Sequence, residues 1–192
     1  MRWIIFVLFP LMVYGQTQTF TIPSDTLISP QEIVLPKACE LISADTISQL
    51  MGVPTKDLMV LEPPVVGEQG VSSCFFKWAD ASTPHGGIFV QLMKNPAYDS
   101  YPDYIRSFID DKLVQGESMP GRSGKFLYAE MEVKGLRVAW CYEQSRFYWN
   151  LGNNHLCMLA FNLPAMGKEE MESKGSRLIG MISHSLLDPP LR

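Results

Sequence analysis

Four cysteines stand behind an apolar N-terminal run, in two local pairs, Cys39 with Cys74 and Cys141 with Cys157, and this combination limits the chain more than any other feature. The run from Trp3 to Val13 follows a single basic residue, Arg2, and is followed by the small residue Gly15. Spanning a bilayer takes about 20 apolar residues, so the run reads as a cleaved signal peptide over residues 1–15. No later segment reads as transmembrane. Export, secreted or periplasmic, places the thiols in an oxidising compartment, where they read first as crosslinks. Four cysteines allow three connectivities, and the sequence excludes none of them. Local pairing is favoured, because Cys39 opens a helical segment while Cys74 lies on a strand, and Cys141 and Cys157 lie on strands of one meander. No Cys-x-x-Cys spacing supports a redox or metal role.

Removing residues 1–15 deletes one base and no acid, which moves the formal charge from −4 to −5. A chain with this balance lacks the basic stripe that a phosphate backbone requires, so nucleic acid is not expected as a partner. Residues 16–37, rich in Thr, Ser and Pro, read as a partly disordered leader, with Ile33, Val34 and Leu35 able to form a short edge strand. Residues 38–192 are long enough for one domain with a sizeable core.

Within that domain the periodicities alternate. Leu41, Ile47, Leu50 and Met51 recur at helical spacing, with Ser43 as N-cap and Gly52 with Pro54 as the stop. Pro63, Pro64, Gly67 and Gly70 mark a loop. Cys74, Phe76 and Trp78 then alternate with Ser73, Phe75 and Lys77 as in a strand. A turn at His85, Gly86 and Gly87 leads to a second, antiparallel strand from Ile88 to Met93. Tyr101, Tyr104, Ile105, Phe108, Ile109 and Leu113 predict an amphipathic helix with Asp103, Arg106, Asp110 and Lys112 mostly outside, followed by a loop over residues 116–124. Phe126 to Val133, Leu136 to Tyr142, Arg146 to Leu151 and Leu156 to Phe161 read as a meander. Met166 to Leu187 reads as a last amphipathic helix, ended by Pro189 and Pro190. The expected fold class is α+β, a twisted antiparallel sheet with helices packed on it.

Catalytic signatures are missing. The three histidines, His85, His155 and His184, lack metal-ligand spacing, and no metal or cofactor is expected. Ser123, between Arg122 and Gly124, lacks the strand-to-helix context of a nucleophile elbow. Glu130 and Glu132 share a strand face, as solvated acids commonly do. The aromatics of the meander carry more weight: Trp140, Tyr142, Tyr148 and Trp149 either fill the core or line an apolar pocket. Arg137 and Arg146 are then candidates for a rim that receives an acidic ligand.

The segment from Ala38 to Asp45, followed by Leu50-Met51-Gly52 and by Ser73 to Trp78, resembles the opening of a family of exported actinobacterial proteins of unknown function. It is also similar to the extracellular sensor domains of some mycobacterial serine/threonine kinases. The resemblance implies a Cys39–Cys74 bond, with Leu41, Leu50 and Trp78 in the core, and contributes no catalytic residue. The order of elements resembles the fold of the thylakoid-lumen PsbP protein. Together these readings lead to an exported, non-enzymatic binding or sensor module for a small apolar ligand, a peptide or an envelope protein. The alternatives are a hydrolase with an unfamiliar site near residues 116–124, and a structural or inhibitory secreted protein marked by a flat apolar patch.

Overall fold

Alternation of apolar and polar residues over six to eight positions dominates the chain, and each such stretch becomes a strand of one antiparallel sheet. The computed structural model describes residues 35–63, 70–79, 86–121, 123–152 and 154–187, which belong to one compact unit. Residues 1–15, expected as a signal peptide, residues 16–34 of the expected leader, His85 and the closing prolines Pro189 and Pro190 lie outside the described residues. The large sheet joins β1 (Met59–Leu61), β2 (Val71–Lys77), β3 (Gly87–Lys94), β6 (Ala129–Val133), β7 (Leu136–Cys141), β8 (Arg146–Leu151) and β9 (His155–Asn162) in the order β1-β2-β3-β9-β8-β7-β6. A small hairpin pairs β4 (Glu117–Ser118) with β5 (Lys125–Phe126), inside and just beyond the segment expected to be a loop.

The first helix, α1 (Ala44–Met51), forms where its caps predict. The Ser43 hydroxyl accepts from the Thr46 amide at 3.1 Å, and Gly52 closes the helix in the left-handed region, at φ 69°. The αL conformation is close to strain-free only for glycine, so the stop is local chemistry. Helices α2 (Tyr104–Gln115) and α3 (Lys168–Leu187) complete the fold.

Strand parity sorts the side chains into two layers. Phe76, Ile88, Val90, Trp149 and Leu159 face α1 and α3, where Ile47, Leu178, Ile179 and Ile182 meet them in the main core. Gly175 of α3 seats Phe147 so closely that a Cβ there would lie 2.6 Å from the ring. Trp149 Nε1 donates to Ser183 Oγ at 3.1 Å in the buried interior. Among the described residues, the opposite face carries one helix, α2, whose Ile105 and Ile109 cover Tyr128, Ala139, Cys141, Tyr148 and Leu156. Asn95, buried before α2, fixes the incoming loop by donating to the carbonyls of Tyr101 and Pro102 and accepting from the Ala97 amide.

Cys39 and Cys74 form the disulfide that the resemblance implies, and Leu41, Leu50 and Trp78 are buried. The expected Cys141–Cys157 bond is corrected: both thiols are free and buried. Cys141 pairs across to Arg146, which pairs to Ala160, whereas Cys157 pairs to Trp149. The two cysteines therefore sit two strands and three positions apart, about 14 Å by sheet spacing, on opposite faces. A disulfide needs Cα atoms within about 7 Å and converging Cβ vectors.

Candidate docking face

The register places every expected site residue, and it separates them. Trp140 and Trp149 belong to the core under α3, while Tyr148 is buried on the α2 side. Tyr142 lies in the turn after β7, partly exposed, its hydroxyl donating to the Met166 carbonyl at 3.2 Å. Of the two expectations for these aromatics, the apolar pocket is not assembled: alternation along β7 and β8 sends Trp140 and Trp149 to one layer and Tyr148 to the other, where they serve as packing, and Tyr142 stands apart in the turn.

Arg137 and Arg146 share the α2 face but do not frame one rim. Arg137 donates to Glu130 at 2.9 Å and to Asp110, so its guanidinium is already matched by two carboxylates. Those hydrogen bonds hold its pKa above the ordinary guanidinium value. It lines a cleft of about 340 Å³ between α2 and the turns of β6–β7 and β8–β9, with Arg106, Ile109 and Asn150. Counting Asp110 and Glu130, the surroundings of this cleft are not cationic, and an acidic ligand finds no unspent charge at Arg137.

A second polar cluster lies under α2. Lys112, expected outside, is folded inward: its Nζ stands 5.2 Å from the Phe108 ring and 5.5 Å from the rings of Tyr128 and Tyr148. It pairs with Glu117, to which the Tyr128 hydroxyl also donates at 3.1 Å. Burial pushes the Glu117 carboxyl up, but the Lys112 ammonium and the hydrogen bonds of Gln144 and Tyr128 outweigh it and leave the pKa below the usual value. Burial, with Tyr148 and Glu117 alongside, raises the Tyr128 phenol. Every donor and acceptor named here has a partner, so the cluster fastens the β4–β5 hairpin to α2. Ser123 and the acids Glu130 and Glu132 are exposed, and burial lowers the pKa of His155 on the other side of the sheet. Among the described residues, no group of three metal-capable side chains converges.

What remains is a surface. On the α2 side, α2 lies over β7 and β8 and its cluster reaches Leu156, Met158 and, at one end of β3, Met93, while no described helix packs on β1, on β2 or on Phe89 of β3. One cross-strand row there runs Leu61–Phe75–Phe89–Ala160–Arg146. The neighbouring row brings Met59 opposite Lys77, and Lys77 opposite Gly87. Phe75 and Phe89 are half-buried and meet edge to face, with centroids 6.4 Å apart. The Phe75 ring lies against Gly87, where a Cβ would come within 2.5 Å of it. At the edge of the sheet, Met59, Val60 and Leu61 are 57%, 44% and 40% exposed. An edge strand of three consecutive exposed apolar residues, without proline or charge, is the kind of edge that folded proteins otherwise blunt.

The sequence reading assigns no element between Pro54 and Pro63, where β1 lies, because three residues are too few to show a period. The available signal was Phe75, an aromatic on the otherwise polar face of β2. The class defined by this geometry is an α+β domain with a half-covered antiparallel sheet. No protein-family model, curated protein or solved structure matches the chain.

Proposed function

We propose that this chain is a non-enzymatic binding module that docks a protein partner on the uncovered half of its sheet, beside β1. The observation that carries the reading is the continuous apolar strip from Leu61 through Phe75 and Phe89 to Ala160, joined to the exposed β1 edge. Contiguous exposed apolar surface on a folded domain marks an interaction site more often than a scattered leucine does. A small apolar ligand loses its support, since Trp140, Tyr148 and Trp149 are buried in packing and Tyr142 stands apart in a turn. The compartment we assign is extracellular or periplasmic, supported by the Cys39–Cys74 bond and by the short apolar N-terminal run. That bond also supports kinship with the exported actinobacterial proteins whose opening the chain resembles.

A photoreactive phenylalanine analogue placed at Phe89 in the producing cell tests the reading, with the same analogue at the exposed Val114 of α2 as control. A discrete protein adduct is expected at position 89, absent at 114 and lost when Phe75 is replaced by Ser. Equal labelling at both positions, or none at 89, refutes the docking face.

A further inference from the structure

The uncovered face has a charge pattern that the apolar strip does not explain. The positions that face this way are Met59 and Leu61 on β1, Val71, Ser73, Phe75 and Lys77 on β2, Gly87, Phe89, Gln91 and Met93 on β3, with Ala160 and Arg146 beyond. They include two bases and no acid, in a chain whose net charge is −4. Both bases stand at the same end of the strands, Arg146 in the row of Phe75 and Lys77 one row further on. Neither makes an ion pair among the described residues, unlike Arg137 and Lys112 on the α2-covered side. The opposite end carries Val71, Ser73 and Gln91, with Gln91 donating to Ser73 at 3.0 Å, and Met93, which already packs into the α2 cluster.

Dimensions narrow the occupant. Three inter-strand spacings separate β1 from β9, about 14 Å, and four rows of side chains extend about 20 Å along the strands. An α-helix with its side chains is about 10–12 Å across and rises about 1.5 Å per residue. One helix of about 13 residues therefore fills the bare area beside α2. Strand addition at β1 is the poorer match, because three residues offer few backbone partners and leave Phe75 and Phe89 uncovered. The opposite face of the same sheet already carries two helices, α1 and α3.

Resting on the docking reading above, we infer that the partner presents an amphipathic helix with its apolar stripe on Leu61, Phe75 and Phe89 and its acidic C-terminal turn between Lys77 and Arg146. The direction follows from the helix dipole, whose negative end favours the two bases. Like charge at that turn is repelled, which makes the two bases a selectivity element as well as an anchor.

The test uses the full chain and two labelled 14-residue peptides with the same leucine stripe, one with glutamates in its last turn and the other with lysines, read by fluorescence anisotropy. The glutamate peptide is expected to bind at least ten-fold more tightly. The double variant Lys77→Glu/Arg146→Glu is expected to reverse that preference, and Phe89→Ser to abolish binding of both. Thermal melts of each variant check that the fold persists. Equal affinities, no binding, or a preference that survives the charge reversal overturns the acidic-helix inference. If the adduct at position 89 forms nonetheless, the docking face stands and only the partner's chemistry is wrong. Tighter binding to anionic lipid vesicles than to the glutamate peptide, or a concentration-dependent dimer that masks the face, also overturns it.

Discussion

Removing the Cys39–Cys74 bond, by replacing both residues with Ala, gives the sharpest test of how this fold is held together. The cysteines are 35 positions apart, and closing a loop of that length removes denatured-chain entropy worth about 4 kcal/mol at 25 °C. Total stabilities of domains run from roughly 5 to 15 kcal/mol, so this single bond is a large share. For a domain of 150 to 250 residues each kcal/mol moves the midpoint by about 2–4 °C, which places the variant about 8–16 °C below the parent. The bond joins the 3-10 turn Ala38–Glu40 to β2 beside the fully buried Phe76. Its loss therefore also frees the segment that covers one end of the main core. Urea melts followed by tryptophan fluorescence supply the free energy, and the parent melted with a reductant present must converge on the variant. A free-energy loss below about 1 kcal/mol, or a parent midpoint indifferent to reductant, would refute the assignment of this bond as the principal staple.

Thiol titration of the unreduced protein is expected to find two reactive groups per chain in denaturant and none reacting rapidly in the native state, since Cys141 and Cys157 are buried and burial raises both thiol pKa values; zero groups in denaturant would restore the Cys141–Cys157 bond. Gly175→Ala improves helix propensity by about 1 kcal/mol, yet it drives a methyl into the Phe147 ring, so a net loss of about 1–2 kcal/mol is expected in thermal melts, and a rise in midpoint contradicts the packing. His155 has a folded-state pKa below its ordinary value, owing to burial and then to the Lys94 charge. The unfolded chain thus takes up the proton first as pH falls, and stability present above about pH 6.5 declines until the folded-state pKa is passed. His155→Gln is expected to flatten that slope in melts between pH 7 and 5, and an unchanged slope assigns it elsewhere. Asn95→Ala removes three hydrogen bonds at a buried site and is expected to cost about 2–3 kcal/mol while leaving the disulfide intact.

Much of this architecture was legible residue by residue. Ser43 and Gly52 bracket α1 because capping is decided within one turn of chain. The alternation of Cys74, Phe76 and Trp78 marked the richer face of β2, whereas for Trp140 and Trp149 the pattern left core and pocket as alternatives. Which of the two faces α3 covers is a tertiary outcome that parity leaves open. Lys112 was misplaced because helical periodicity reports which side of α2 is apolar, not that a lysine stem folds back beneath three rings. The second cysteine pair misled for a related reason: nearness in a meander says nothing of face until the register of β7 against β8 and of β8 against β9 is known. The face proposed for docking was invisible as well. Phe75 and Phe89 meet only because β2 and β3 pair in one register, and their exposure depends on which strands α2 covers.

Local order was written into the chain: which stretches alternate, where helices start and stop, and that the chain supplies enough apolar surface for one core. Interactions within a few residues decide those matters, and they survive without any knowledge of what lies across the sheet. Pairing of β3 with β9, over some seventy positions of chain, belongs to the tertiary structure, because long-range partners are chosen by the joint burial of both faces. The registers of β7 on β8 and of β8 on β9 put Cys141 and Cys157 on opposite sides and turn the tryptophans to the α3 face, and the β3–β9 pairing aligns Phe75 and Phe89 with Ala160 in the row proposed for docking.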